Sequence, residues 1–181
     1  FLSNYEKQIS YADELKILDI IHQKKSALPK KINEWLYNKN SSVVILAIKL
    51  MIRYRETLTI DQISHLLNNT NSKVRRETYL VIRNLYIIEA NELLINHYPK
   101  ETDKRNKISA LKTMGAIGDN DTKDFALSIL LAEADLEIKF EIVNCINKID
   151  ATFFNTYKTE DASENEIIKR IVLHVNNPYL N

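Results

Sequence analysis

The sequence predicts an all-α chain built from stacked helix pairs. Three observations predict it. Only two glycines and three prolines occur in 181 residues, too few turn residues for an all-β sandwich or barrel of this size. Apolar residues recur at i, i+3, i+4 and i+7 along most of the chain, the period of a helix with one buried face. One such helical pattern returns at successive offsets of 31, 32 and 32 residues, a spacing in the range of repeated helix pairs.

The elements follow in order. Residues 1–25 predict a helix with Leu15, Leu18, Ile21 and His22 on one face, which Tyr5 and Ile9 extend. Residues 28–38 predict a second helix, with Pro29 in its first turn and Ile32, Trp35 and Leu36 facing inward. A polar turn at 38–41 makes Ser41 or Ser42 the expected N-cap of the next helix. That helix, 42–55, is apolar nearly all round, a pattern of burial on several sides, and Lys49 is the charge that interrupts its apolar run Val43–Ile52. Thr59 and Gln62 form a capping-box signature ahead of Ile60, Ile63, Leu66 and Leu67.

The run from Thr70 to Leu85 sets the register for the rest. A polar turn opens it, and Val74, Thr78, Val81, Ile82 and Leu85 follow at helical spacing. Further pairs are predicted at 89–98 with 103–117, and at 120–132 with 135–149. Gly118 is placed as a helix stop of the C′ type. A looser pair covers 151–175, and residues 176–181, with Pro178, read as a tail. Residues 1–27 are thus an N-terminal capping region, 28–150 the regular repeats and 151–181 an atypical last unit, all in one domain.

Aligning the second helices exposes the repeat. Val43-Val44-x-x-Ala47-x-x-Leu50-Met51-x-x-Tyr54 matches Val74-Arg75-x-x-Thr78-x-x-Val81-Ile82-x-x-Leu85. The same frame fits Asn106-Lys107-x-x-Ala110-x-x-Thr113-Met114-x-x-Ile117 and Ile138-Lys139-x-x-Ile142-x-x-Cys145-Ile146-x-x-Ile149. The pattern resembles HEAT and related armadillo-like repeats, in which a polar turn leads to Val-Arg, a small residue and then Leu. Asn71–Arg75 and Asp135–Lys139 carry the likeness best, and Met114–Asp119 resembles the common ending of such a unit. Val44 and Asn106 depart from it, at a basic and an apolar position respectively. The resemblance implies a right-handed superhelix of about five helix pairs.

Charge narrows the function classes. Lys plus Arg is 25 and Asp plus Glu 24, a net charge of +1, without the basic excess usual in nucleic-acid binders. The single cysteine, Cys145, excludes an intrachain disulfide and a cysteine metal cluster. It falls on an apolar stripe and reads as a small buried hydrophobe. The four histidines, His22, His65, His97 and His174, have no i, i+4 pair or HExxH, so no zinc site is expected. Asp119-Asn120-Asp121 lacks the further ligands of a calcium loop and fits helix capping better. There is no phosphate-binding glycine loop and no GxSxG. No catalytic, metal or cofactor-binding residue is therefore assigned.

The expectation is a non-enzymatic protein-interaction or scaffold module that takes a protein or peptide partner, acidic in character, on its concave face or ridge loops. The candidate contacts are Arg76, Tyr79 and Arg83, positions the repeat itself does not require, with Lys104 and Arg105 at the start of the equivalent helix one unit on. The competing assignment has Arg75 and Lys107 paired with acids of adjacent turns and the remaining cations solvated. The resemblance also admits HEAT-like proteins that act on DNA bases or on tetrapyrrole attachment. A start at Phe1 rather than Met marks a fragment, so the soluble part of a membrane-anchored protein stays beside the cytoplasmic assignment.

Overall fold

The computed structural model describes residues 7–23 and 27–177, the side chain of His22 excepted. The predicted contributions of Tyr5 and His22, and the tail beyond residue 177 with Pro178, lie outside the described residues. Among those residues there are ten α-helices and no strand. They are α1 (Tyr11–Gln23), α2 (Ile32–Trp35), α3 (Ser41–Tyr54), α4 (Ile60–Leu67), α5 (Ser72–Leu85), α6 (Asn91–His97), α7 (Lys104–Ile117), α8 (Asn120–Leu130), α9 (Leu136–Ile149) and α10 (Ala162–Asn176). Short 3₁₀ turns cover Ile88–Ala90, Tyr98–Lys100 and Phe153–Asn155. None of the described helices is long and apolar enough to cross a membrane. The chain divides into two compact units, Phe1–Leu85 and Tyr86–Asn181.

The four second helices carry the predicted register. Each of α3, α5, α7 and α9 is 14 residues long. Their first residues, Ser41, Ser72, Lys104 and Leu136, are offset by 31, 32 and 32. The small-residue position is fully buried in all four, at Ala47, Thr78, Ala110 and Ile142. So is the apolar position four residues on, at Met51, Ile82, Met114 and Ile146. Where the frame admits threonine, the hydroxyl is satisfied inside its own helix. Thr78 Oγ1 donates to the Val74 carbonyl at 2.9 Å, and Thr113 Oγ1 to that of Ser109 at 2.8 Å.

In the first unit α3 packs on α2 and α5, and α4 packs on α5. The N-cap of α3 is Asn40, not Ser41 or Ser42: its backbone is extended and its side chain accepts from the Ser42 N–H. Ser41 and Ser42 lie inside the helix, and Ser42 Oγ adds to the cap by donating to Asn40 Oδ1 at 2.7 Å. The predicted helix over 28–38 contracts to the single turn of α2. A turn from Pro29 precedes it, closed by the Ile32 N–H on the Pro29 carbonyl at 3.0 Å. Trp35 is half-buried, and its neighbour Leu36 is the fully buried residue. The Thr59–Gln62 capping box forms, the Thr59 N–H donating to Gln62 Oε1 at 2.9 Å and Gln62 N–H to Thr59 Oγ1 at 3.3 Å. Helix α3 ends on Arg55 in the left-handed region, φ 54° and ψ 35°. Arg55 N–H reaches the Ile52 carbonyl and Glu56 N–H that of Met51, the paired bonds of a Schellman stop.

In the second unit α9 is central, packing on α7, α8 and α10, while α6 packs on α7 and α8. Aspartate caps α7, α8, α9 and α10, at Asp103, Asp119, Asp135 and Asp161. A carboxylate at these ends satisfies free N–H groups and complements the helix dipole. Asp119-Asn120-Asp121 thus caps α8. Helix α7 stops at Gly118 as predicted, but with extended backbone, φ −73° and ψ 167°, in place of the left-handed turn common at helix ends. Glycine stands there for space, because a Cβ would lie 2.4 Å from the Met114 carbonyl oxygen and 2.7 Å from Thr122 Cγ2.

The polar residue at the head of α7 is also accounted for. Asn106 takes the apolar position of the frame and is 1% exposed. Its N–H donates to Asp103 Oδ1 at 3.0 Å and its Nδ2 to Glu101 Oε2 at 3.2 Å. Glu101 is itself 2% exposed and accepts the N–H groups of Thr102 and Asp103. A buried polar loop thus replaces the apolar contact, with its groups satisfied.

Candidate functional site

The first unit carries a charged cleft of about 550 Å³. Helices α3 and α5 supply Ile45, Lys49, Lys73, Arg76 and Glu77, and the segment 8–14 supplies the opposing wall. Each group is placed by local rules. Lys49 is the one charge in the apolar run Val43–Ile52 of α3, and its ammonium meets Glu14 of α1 in an ion pair. Lys73, Arg76 and Glu77 stand at i, i+3 and i+4 in the first turns of α5, hence on one face. The segment before α1 is clipped to the start of α3. Ile9 N–H donates to Ser42 Oγ at 2.9 Å, and Asn40 Nδ2 to the Lys7 carbonyl at 2.7 Å.

The electrostatics are not symmetric. Burial raises the Glu77 carboxyl above its ordinary value, and nearby Glu14 adds to the rise. The Lys49 cation is the stronger of the two opposing influences, with Arg76 the weaker. Lys49 and Glu14 have side chains 27% and 12% exposed, so their attraction is less screened than that of a surface pair. Lys73 and Arg76 enter no ion pair among the described residues.

The sequence-predicted contacts divide between the two units. Arg76 lines the cleft. Arg83 follows seven residues later, two turns along the same face at about 10 Å. Tyr79 is 1% exposed and belongs to the core, so its ring is not offered to a partner. In the second unit Lys104 is engaged: its ammonium lies 2.7 Å from Asp135 and 2.9 Å from Glu137. Those two bonds raise its pKa and lower that of Asp135. Arg105, beside it, is exposed.

The two basic repeat positions make the following contacts. Arg75 donates through one guanidinium nitrogen to the carbonyls of Asn69 at 2.9 Å and Thr70 at 3.2 Å, fastening the preceding loop. Lys107 lies over the Tyr98 ring, 5.7 Å from its centre.

No protein-family model matches the chain, and the curated proteins hold no match to it. The case for a site rests on geometry. Among the described residues no three His, Cys, Asp or Glu side chains gather as a metal site requires. His65 stacks on Tyr37 with ring centres 4.5 Å apart, and His174 Nδ1 sits 2.9 Å from the Arg170 carbonyl. Cys145 is 1% exposed and burial pushes its thiol up to about 12, the reverse of an activated nucleophile.

The reading from sequence missed Lys49, Glu14 and Glu77. A signal for Lys49 existed: a charge in the middle of the apolar run Val43–Ile52 must find a counter-ion or a wet cleft. Nothing local marks Glu14, whose partner lies 35 residues away.

Proposed function

We propose that this chain is a HEAT-like helical-repeat module that binds a protein or peptide partner and catalyses nothing itself. The observation that carries this reading is the charged cleft on α3 and α5, where Lys73 and Arg76 stand without ion-pair partners among the described residues. Such cations beside a concave, partly apolar wall suit recognition of carboxylates. The 14-residue second helices and their 31- and 32-residue spacing support the repeat reading, because each helix pair leaves an apolar face for its neighbour to cover. On this reading the helix pairs continue as a right-handed superhelix. Arg76 and Arg83 then lie on the partner-facing side of α5, and Arg105 provides a further contact on α7. Lys104, held by two carboxylates, serves the fold instead.

The test is selection from a library of random 12-residue peptides against the full chain. The reading expects enriched binders, and expects Arg76→Glu/Arg83→Glu/Arg105→Glu to lose them while retaining its helical circular dichroism. No enrichment over a carrier control rejects the reading. Enriched peptides that bind the triple variant equally reject these residues as contacts.

A further inference from the structure

The N-terminal arm, residues 7–23, is attached in an unusual way for part of a folded unit. Among its described residues none is buried. Tyr11, Leu15 and Ile20 are 71%, 45% and 52% exposed. Three polar links bind it to α3: Lys7 to Asn40, Ile9 to Ser42, and Glu14 to Lys49. Its apolar side chains Ile9, Ile17, Leu18 and Ile21 are only half-buried, and a segment held largely by hydrogen bonds and one ion pair belongs to the low-stability end of local opening.

The arm also brings its own anion. Lys49, Lys73 and Arg76 line one cleft, against Glu77 and Glu14. Without Glu14 the three cations would face the single carboxylate of Glu77. That imbalance is what a carboxylate ligand neutralises, and Glu14 already occupies the position on Lys49. Ile9 and Tyr11 of the arm lie in the cleft wall beside Ile45, so apolar contact accompanies the charge.

We propose that this cleft is the seat of an acidic peptide segment of a partner, and that Glu14 and the arm are an internal stand-in which the partner displaces. The proposal rests on the interaction-module reading and names its site and ligand chemistry. The occupant is a segment with two or more carboxylates, for Lys49, Lys73 and Arg76, flanked by an aliphatic or aromatic residue that replaces Ile9 and Tyr11. Arg76 offers a planar fork for one carboxylate, and the lysines act as point charges. Removal of the arm's own anion raises the fraction of open sites, and apparent affinity rises in proportion.

The test uses the full chain and fluorescence anisotropy of a labelled 12-residue peptide of Glu, Leu and Tyr, with a control in which Gln replaces every Glu. The expected result is binding of the acidic peptide and not of the control. Glu14→Gln should tighten it about threefold to tenfold. Lys73→Gln and Arg76→Gln, each removing one charged hydrogen bond, should weaken it roughly tenfold. Both residues lie outside the core, so these variants keep the test independent of Lys49, whose loss could disturb α3. An unchanged or weaker affinity for Glu14→Gln overturns the proposal, as does binding insensitive to Lys73 and Arg76. Tighter binding of a single-stranded oligonucleotide than of the acidic peptide also overturns it. If library peptides bind the chain but never through Lys73 or Arg76, this inference falls while the interaction reading stands. If no peptide binds, both fall.

Discussion

Lys139 of α9 holds Glu164 of α10 at 2.7 Å, with the lysine side chain 4% exposed and the glutamate 25%. The pair ties the last helix to the centre of the second unit, where Ile168 is the buried residue of α10. It also occupies the basic position of the repeat frame, and the three charged occupants of that position do three different things. Arg75 fastens its own loop, Lys107 covers an aromatic ring, and Lys139 recruits the following helix.

Breaking that pair from the glutamate side should therefore be costly. Glu164→Ala leaves a buried ammonium without its counter-ion, an expected loss of about 2 kcal/mol, below the range for fully buried pairs because Glu164 is partly wet. Lys139→Met removes the charge and keeps the volume, so its cost should stay under about 1 kcal/mol. Urea unfolding of the two variants measures the contrast. Equal losses would show that the lysine stem, and not its charge, holds α10.

Backbone conformation predicts two substitutions of opposite sign. Arg55 is exposed and left-handed, a conformation that costs an L-residue about 1 kcal/mol relative to glycine. Arg55→Gly should stabilise by nearly that amount, read as an upward shift of the urea midpoint. Gly118→Ala should do the reverse. Its Cβ would press on the Met114 carbonyl, a backbone atom, and on Thr122. Thr122 is fully buried and donates to Asn91 at 2.6 Å, while Asn91 donates to Asp119 at 2.9 Å. Displacing that network should cost about 2 kcal/mol or more. A neutral Gly118→Ala would mean that α8 shifts freely.

These two positions also mark what was legible in the sequence. The second helices were readable to within a residue or two, because four turns of apolar residues at the helical period leave few alternatives. Their caps were less so. Gly118 marked the end of α7, but among the described residues the left-handed backbone falls on Arg55 and Tyr86, whose identities give no hint of it. The short first helices blurred, α2 to one turn and α6 to seven residues flanked by 3₁₀ turns, since so few residues carry little periodicity. Arg76 was legible as a cation outside the core because the repeat does not require it there, and it lines the cleft. Tyr79 at helical spacing fitted both the core and a contact, because one residue of stagger separates an inward ring from an outward one, and it is core. The cleft depends on Glu14 meeting Lys49, a pairing no local pattern encodes.

Cys145 should be inert in the folded chain. Its thiol is buried and pushed up to about 12, so at pH 8 about one molecule in ten thousand carries the reactive thiolate. An aromatic disulfide reagent should leave the native protein unlabelled for an hour and label one thiol per chain at once in guanidinium. Fast labelling of the native state would mean that α9 opens locally far below the global unfolding free energy.

The last prediction concerns pH. Burial raises Glu77 above its ordinary value of 4.5, so the folded chain binds that proton more tightly than the unfolded chain does. For a carboxyl shifted upward, stability falls as pH rises through the folded pKa, and is recovered as pH drops back towards the unfolded one. At pH 7 Glu77 is thus a net cost to the first unit. The capping carboxylates of the second unit act oppositely: Asp119, Asp135 and Asp161 are lowered by hydrogen bonds from backbone and side-chain donors, Asp135 most by Lys104. Their stabilisation is lost only below the ordinary value of 3.8. The wild-type profile mixes the two trends, but Glu77→Gln isolates one. The variant should be more stable than wild type at pH 7, and the gap should close as pH falls towards 4.5, because wild-type Glu77 is then protonated too. Urea midpoints of both proteins from pH 4.5 to 8 measure the gap. A gap that stays constant would assign the gain to amide hydrogen bonding, and a variant less stable at pH 7 would mean that the attraction of Lys49 and Arg76 outweighs the burial of the carboxylate.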